Sequence, residues 1–323
     1  MSTKRQQMTG AGVATAWIVA AGIVLSLPAG ARADYTFGDW ASDHGYGAGD
    51  AMPTVVDADH SNPAISGLGG IGDYNWTATP TRELHLERNQ ISSIQSGDFS
   101  SLANLEYLSV RANQVSSLES GSFSGLANLE YLSFHSNQIS SIESGDFNGL
   151  TNLAYLNLYH NQISSIEAGD FSGLTNLTEL DLGDNNTSSI ESGDFSGLTN
   201  LTKLDLRLNE ISSIESGAFS GMTDLDDLDL SNNTPITELN LGGADFSSLA
   251  GFSVKGNTNI TTVSLRNSVL NQTALTALLD GGDAWSDGIG EILGITELDL
   301  SGVDFVDITN LAPLYAMDDL EFR

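Results

Sequence analysis

Cysteine is absent from the 323-residue chain. That excludes a disulfide framework, zinc–thiolate sites, iron–sulfur clusters and a thiol nucleophile. Basic residues are scarce: 11 Lys and Arg stand against 42 Asp and Glu, for a formal charge of −31 at pH 7. Such a surface lacks the basic footprint that nucleic acid or an anionic membrane requires. Catalytic signatures are missing too. There is no H-E-x-x-H, no G-x-S-x-G, no P-loop and no G-x-G-x-x-G in a βαβ setting. His44, His60, His85, His135 and His160 do not share metal-ligand spacing. What the chain does have is apolar material, 40% of its residues, enough to bury a core.

Only one segment is long and apolar enough to reach across a bilayer, and it lies at the start. Lys4 and Arg5 precede the uncharged run from Ala11 to Leu27, and Ala31-Arg32-Ala33 offers small side chains at an A-x-A site. Residues 1–33 therefore read as a secretory signal peptide, with the mature chain beginning at Asp34. An uncleaved anchor is the alternative, which Pro28 and the A-x-A site oppose. Cleavage removes three bases and no acid, so the mature charge is −34. The expected location is outside the cell or at its surface, with no membrane span left after cleavage. Without disulfides, the exported chain is held together by packing alone.

Self-comparison gives a period of 24 residues. Leu84, Leu108, Leu132, Leu156, Leu180, Leu204 and Leu228 head successive units. Two residues on stand Leu86, Val110, Phe134, Leu158, Leu182, Leu206 and Leu230. Five on stand Asn89, Asn113, Asn137, Asn161, Asn185, Asn209 and Asn233. Apolar residues follow at Ile91 and Ile94 and their equivalents, then a phenylalanine series at Phe99, Phe123, Phe147, Phe171, Phe195 and Phe219. This L-x-x-L-x-L-x-x-N-x-I-x-x-I-x-x-x-x-F-x-x-L wording resembles the leucine-rich repeat. It is most similar to the 24-residue subtype of Toll-like receptor ectodomains, Slit-like proteins and lamprey variable lymphocyte receptors. The resemblance implies an α/β solenoid: a horseshoe with a parallel concave β-sheet and an irregular or short-helical convex side. It also implies adhesion or ligand recognition rather than catalysis.

The residues argue the same way on their own. L-x-L alternation is a strand signal, with leucines inward and the intervening residue outward. One unit cannot bury its apolar face alone and must stack on its neighbours. The recurrent Asn sits where the chain turns out of the strand. Its amide both donates and accepts, so it can satisfy backbone groups that the bend leaves unpaired and tie coil to coil. The Phe fills the convex side. Ser96-Gly97-Asp98-Phe99 suits a tight turn into a single helical turn, with Asp98, Asp146, Asp170 and Asp194 as its caps.

Departures from the period predict local change. Thr187 replaces a buried Ile, the spacing slips by one at Asn233-Thr234-Pro235-Ile236, and Gly243 stands where Phe is due, so the solenoid is expected to loosen or bend. The organisation reads as a signal peptide (1–33), a lead-in rich in Gly, Asp and aromatics (34–53), and a cap-like segment (54–83). The repeats (84–270) follow, then a helical insertion (271–294) and degenerate repeats (295–323). Thr54–Asp57 is expected to be a cap strand, and Asn271–Asp280 a short helix. The segment 79–84 is similar to the lead into an N-terminal repeat cap, without the cysteines of the family version. The last repeats resemble the shorter internalin-like bacterial type and look truncated at Arg323.

Asp57-Ala58-Asp59 and the loop from Asp280 to Glu291, with Asp283 and Asp287, invite a calcium reading, but neither follows the D-x-D-x-D-G order. Solvated loops are the plain alternative, and no cofactor is expected. Eight N-x-S/T matches, such as Asn176-Leu177-Thr178, are by-products of the repeat wording. The outward strand positions carry the better signal. Tyr107, Tyr131 and Tyr155 form one row, with Arg111, His135 and Tyr159 beside it. The next units present Glu179 and Asp181, then Lys203, Asp205 and Arg207, then Asp227 and Asp229. One half of the sheet is aromatic and the other largely acidic, as binding faces often are. The plain alternative is that exposed Tyr is a good strand former. The function expected is non-catalytic recognition of an extracellular or cell-surface protein by the concave face. A glycan-binding module, with the tyrosines stacking on sugar rings, and a passive surface-layer or matrix component are the other readings.

Overall fold

The computed structural model describes residues 36–48, 52–53, 55–58, 65–69, 71, 80–280, 295–309 and 321–322. The expected signal peptide, the calcium reading at Asp283, Asp287 and Glu291, and most of the insertion lie outside them. No helix of the described residues is long and apolar enough to cross a membrane.

The chain opens with α1 (Phe37–Asp43) and β1 (Val55–Asp57). Single short strands then follow at the repeat spacing: β2 (Glu83–His85), β3 (Tyr107–Ser109), β4 (Tyr131–Ser133), β5 (Tyr155–Asn157) and β6 (Glu179–Asp181). From there two strands alternate per coil. They are β7 (Ser189–Ile190), β8 (Lys203–Asp205), β9 (Ser213–Ile214), β10 (Asp227–Asp229), β11 (Glu238–Asn240) and β12 (Gly251–Ser253). The last elements are β13 (Thr262–Ser264), β14 (Val269–Leu270), α2 (Gln272–Asp280), β15 (Glu297–Asp299), β16 (Asp304–Phe305) and β17 (Glu321–Phe322).

Nine strands form one parallel sheet in the order β1-β2-β3-β4-β5-β6-β8-β10-β12. The register is strict: Tyr107 pairs with Tyr131, Tyr131 with Tyr155, and Asp181 with Asp205. In each strand the central residue points inward. Leu108, Leu132 and Leu156 are fully buried, while Tyr107, Tyr131 and Tyr155 are only half-buried. Each buried Leu contributes roughly 2 kcal/mol of transfer free energy.

The asparagines tie the coils together as their chemistry predicts. Asn113 Nδ2 donates to the carbonyls of Leu86 (2.8 Å) and Val110 (3.0 Å), and Oδ1 accepts from Ile91 N (2.9 Å). The same three contacts recur at Asn137, Asn161, Asn185, Asn209 and Asn233. All are buried. On the far side the phenylalanines stack from Phe99 to Phe219 with ring centroids 6.2–6.3 Å apart.

Four expectations need correction. The convex segments are turns, not helical turns, and their aspartates work backwards. Asp146 Oδ2 accepts from Glu143 N, and Asp170 and Asp194 do the same to Glu167 and Glu191 (2.7–2.8 Å). A helix needs several residues to repay its nucleation, and from Phe123 to Phe219 Gly at positive φ on both sides of each Phe ends it first. The lead-in is a built helix: Thr36 and Asp39 form a capping box on α1, and Phe37 and Trp40 are buried. With β1 paired in parallel to β2, helix and strand cap the array without disulfides.

The third correction concerns the slip at Pro235. The array does not loosen there. At this position the preceding units offer a backbone N–H to the next Asn, and proline has none. Asn257 Oδ1 instead accepts from Asn233 N, two residues earlier, and Nδ2 still holds the Leu230 carbonyl (2.8 Å). The chain then makes a second strand half a coil later, and β11-β13-β15-β17 form a separate parallel sheet. Phe246 is buried in place of the missing Phe, outside the ring stack. Thr187 causes no loosening either; it is fully buried and Oγ1 donates to the Ile163 carbonyl (3.3 Å). Fourth, the long sheet does not run through all the repeats. α2 packs against β12 where another strand would pair, and β14 joins β16 across the insertion.

Candidate functional site

The outward residues of the long sheet come from alternation alone. Every second residue leaves the core, so each strand offers its first and third residues, and the residue two further on continues the row. On β3, β4 and β5 the first row is a pile of tyrosines. Tyr107 and Tyr131 rings stack at 4.3 Å and 8°, Tyr131 and Tyr155 at 4.8 Å and 3°. His85 extends the pile beyond Tyr107 at 4.8 Å. Both faces of Tyr131 are therefore covered. The ring faces that sugar stacking would need are used by the neighbours; edges and hydroxyls meet solvent. Burial, together with the adjoining Tyr107, pushes the Tyr131 phenol up to about 12. Asn157 Nδ2 donates to the Tyr155 hydroxyl at 3.0 Å.

Beside the tyrosines, Ser109 and Ser133 are buried and form the floor of a depression of about 230 Å³. Arg111 and His135 stand at its edge. His135 meets Tyr159 edge-on at 5.1 Å. Burial, and then the charge of Arg111, lowers the His135 pKa, so it is neutral at pH 7. Arg111 makes no ion pair among the described residues. Glu87 closes the other end. Its burial opposes charge, but hydrogen bonds with His85 and Ser109 outweigh that and hold its pKa below the ordinary value.

The acidic half follows on β6, β8 and β10. Asp181, Asp205 and Asp229 stand in register on adjacent strands. Each accepts from the backbone N–H two residues on: Gly183 (3.1 Å), Arg207 (3.0 Å) and Ser231 (2.8 Å). Arg207 Nε lies 3.2 Å from Asp205 Oδ2, and its guanidinium sits 5.3 Å above the Tyr159 ring. Gly183 permits this closeness, since a Cβ there would come within 3.0 Å of Tyr159 and 3.1 Å of Asp205 Oδ1. Burial raises the Asp205 carboxyl to about 7, with Asp181 and Asp229 adding to it against the pull of Arg207. Asp181 is raised too, first by burial. Glu179 is exposed near Lys203 (3.9 Å) in the neighbouring row. A depression of about 210 Å³ opens here, reaching from Tyr155 to Asp229.

All ten residues singled out from the sequence lie along one sheet face: Tyr107, Tyr131, Arg111 and His135 line the first depression, Tyr155, Glu179, Asp181, Asp205 and Asp229 the second, and Tyr159 lines neither. Of the other residues here, Arg207 is one of the outward positions already expected, whereas Gly183 and Glu87 are not. The period holds the signal of Glu87, which stands one unit before Arg111. Among the described residues no group of three or more His, Asp or Glu is placed to hold a metal ion.

Comparison with known proteins places this geometry. The family profile described as leucine rich repeat matches residues 79–139, 129–186 and 175–234. A search of curated proteins finds no match. Among solved structures, the chain is similar to one in a crystal structure of a TLR13–ssRNA13 complex. Identity is 26% and the TM-score 0.50, over 76% of this chain and 40% of that one. The chain thus spans well under half the length of that relative. It also resembles, at 20% identity and TM-score 0.50, a chain of an octameric complex of latrophilin 3, Unc5D and FLRT2, in which FLRT2 is the leucine-rich-repeat component. That likeness covers 83% of this chain and 74% of the other. The matched span holds the asparagine ladder and the phenylalanine stack, and residues 79–234 belong to the leucine-rich-repeat family.

Proposed function

We propose that the chain is an exported, non-catalytic recognition protein that binds a protein partner through its concave sheet. The observation that carries this is the face itself, on which one aromatic and one carboxylate-rich depression lie along the same sheet, linked by the stacked rings of Tyr131 and Tyr155. Tyrosine rings already fixed by their neighbours lose little entropy on contact, which suits them to anchor an interface. Leucine-rich repeats serve as protein-interaction modules, and both structural relatives come from complexes. RNA as the ligand here is opposed by the charge of −31. The reading of residues 1–33 as a signal peptide puts the partner outside the cell or on its surface.

The test is a triple Tyr107→Ala, Tyr131→Ala, Tyr155→Ala variant of the mature chain, used to capture partners from cell-surface extract. Capture should fall at least tenfold while the circular dichroism stays unchanged. Unchanged capture would move recognition off this face. Retention of a glycan on an array, lost in the same variant, would replace the protein partner by a sugar held at ring edges and hydroxyls. Amino-terminal sequencing of the secreted product should begin at Asp34.

A further inference from the structure

The concave face is not uniformly acidic, and the exception is local. The outward positions of β3, β4 and β5 are Tyr107, Ser109 and Arg111, then Tyr131, Ser133 and His135, then Tyr155, Asn157 and Tyr159. None is a carboxylate, in a chain whose net charge is −31. The one full charge on those three strands is the Arg111 guanidinium, which has no ion-pair partner among the described residues; Glu87 and Arg88, one strand step away, close the same depression and add no net charge to it. Beyond Tyr155 the balance reverses. Asp181, Asp205 and Asp229 share one row with a single guanidinium, Arg207. Along the next row Glu179 lies near Lys203, with Asp227 on the following strand. Three carboxylates in register with one cation form an under-neutralised row; Asp181 and Asp229 add to the burial that raises the Asp205 carboxyl.

From the coexistence of these two depressions we propose that the concave face is a dipolar dock. It takes a protein surface in one polarity only, with a partner carboxylate on Arg111 and a partner ammonium or guanidinium group on the Asp205 row. The inference rests on the concave face being the binding face. The two lobes are four strand steps apart in the sheet order, from β3 to β8. At strand spacing that is about 19 Å, so the partner must present opposite charges at that separation. The tyrosine pile between them supplies rigid, uncharged contact. A cation arriving at the row favours the ionised form of Asp205, so docking displaces its proton when the pH is at or below neutral.

Three synthetic probes test this on the mature chain. The first carries Glu-Glu, six prolines and Lys-Lys; a polyproline helix holds the ends about 19 Å apart. The other two replace either charged pair by Gly-Gly. Expected are amide shifts of Arg111 and His135 with the Glu-Glu end and of Asp205 and Asp229 with the Lys-Lys end. The two-ended probe should bind at least fivefold tighter than either half-probe. Arg111→Gln should abolish only the Glu-Glu shifts, and Asp205→Asn only the Lys-Lys ones. Calorimetry of the Lys-Lys half-probe at pH 6.5, in buffers of different ionisation enthalpy, should show proton release that Asp205→Asn removes. A two-ended probe no tighter than the Lys-Lys half-probe, or a Glu-Glu end that shifts neither Arg111 nor His135, overturns the dipolar dock. So does proton release that survives in Asp205→Asn. The broader reading fails separately, if partner capture does not depend on the tyrosines.

Discussion

The coils before Pro235 and those after it solve the same packing problem differently. Before it, each coil has a strand on one side and a turn with a stacked Phe on the other, and the second side holds only the two-residue ladder of β7 and β9. Tyrosine rings on the sheet side repeat at 4.3–4.8 Å, phenylalanine rings on the turn side at 6.2–6.3 Å. A stack wider outside than inside must curve, and the tyrosines lie on the inner side. After Pro235, sheets run on two sides of the coil, and β12 and β13 belong to different ones. Two ladders with the same strand spacing of about 4.8 Å leave no difference to generate curvature. The site sits wholly in the curved part, where side chains of neighbouring strands converge. Curvature here follows the wide phenylalanine stack, which ends at Phe219, one coil before the second sheet lengthens past Pro235.

The strongest way to break the comparison is to open the stack. Phe147→Ala removes a ring with neighbours on both faces and should cost about 4 kcal/mol in urea unfolding. Phe246→Ala, outside the stack, should cost less, since its cavity is bounded on both flanks by sheet that can close on it. Equal costs would mean that the stack adds nothing beyond burial. Next comes the ladder. Asn161→Ala leaves the Ile139 N–H buried without a partner and takes one of two donors from each of the Phe134 and Leu158 carbonyls, which Asn137 and Asn185 still hold, for about 2 kcal/mol. Asn257→Ala, in the re-registered coil, also orphans one N–H, that of Asn233, but takes a donor from only one carbonyl, that of Leu230, and should cost slightly less, about 1.5 kcal/mol.

The Asp205 row sharpens the comparison through pH. Its folded-state pKa, about 7, lies above the unfolded value, so the folded chain holds a proton that the unfolded chain gives up. The stabilisation is complete below about pH 4 and is lost as the pH rises through about 7. Asp205→Asn should therefore flatten the fall in stability between pH 4 and 7 and add about 2 kcal/mol at pH 7.5. A decrease at pH 7.5 would show that the pair with Arg207 outweighs burial.

Salt acts on the outer side of the curved coils. Glu119, Glu143, Glu167, Glu191 and Glu215 recur at the repeat period on the exposed turns. Spacing there follows the wide phenylalanine side rather than the strands, and Ser96 N and Ser192 N donate to Glu119 and Glu215 at 3.3 and 3.2 Å. The repulsion is accordingly smaller than strand spacing would give. Raising NaCl from about 20 mM to 1 M should stabilise the chain by about 1 kcal/mol. The smallest effect concerns Leu208, exposed and at φ +55°, where the equivalent residue one coil later is Asn232 at φ +58°. Leu208→Asn should raise stability by about 0.5 kcal/mol, because Asn tolerates the left-handed conformation at lower cost.

Much of this was legible beforehand. Strand positions, inward leucines, the asparagine ladder, the phenylalanine series and the ten outward site residues all follow from a period and an alternation. So does the helix at 272–280. The face-to-face tyrosine pile was not legible, because spacing gives which residues are neighbours and not how rings turn. Nor was the cap helix after Thr36, whose apolar residues occur once, with no repeat to expose them. The signals were present in Thr36 and Asp39 as a capping box, and in Pro235 as a missing donor, but each is a single local cue.

The sequence by itself determined that this chain coils, because no single unit can bury its own leucines and identical units stack only on one another. It determined which residues leave the core, because strand alternation admits no choice. Tertiary structure alone decided the sign and shape of the face. Charges 24 residues apart become neighbours across one strand step, so whether Asp205 meets a cation, a carboxylate or a tyrosine ring depends on register. It also decided where the ladder changes register, because a missing N–H at Pro235 has consequences only once an asparagine from the next coil reaches for it.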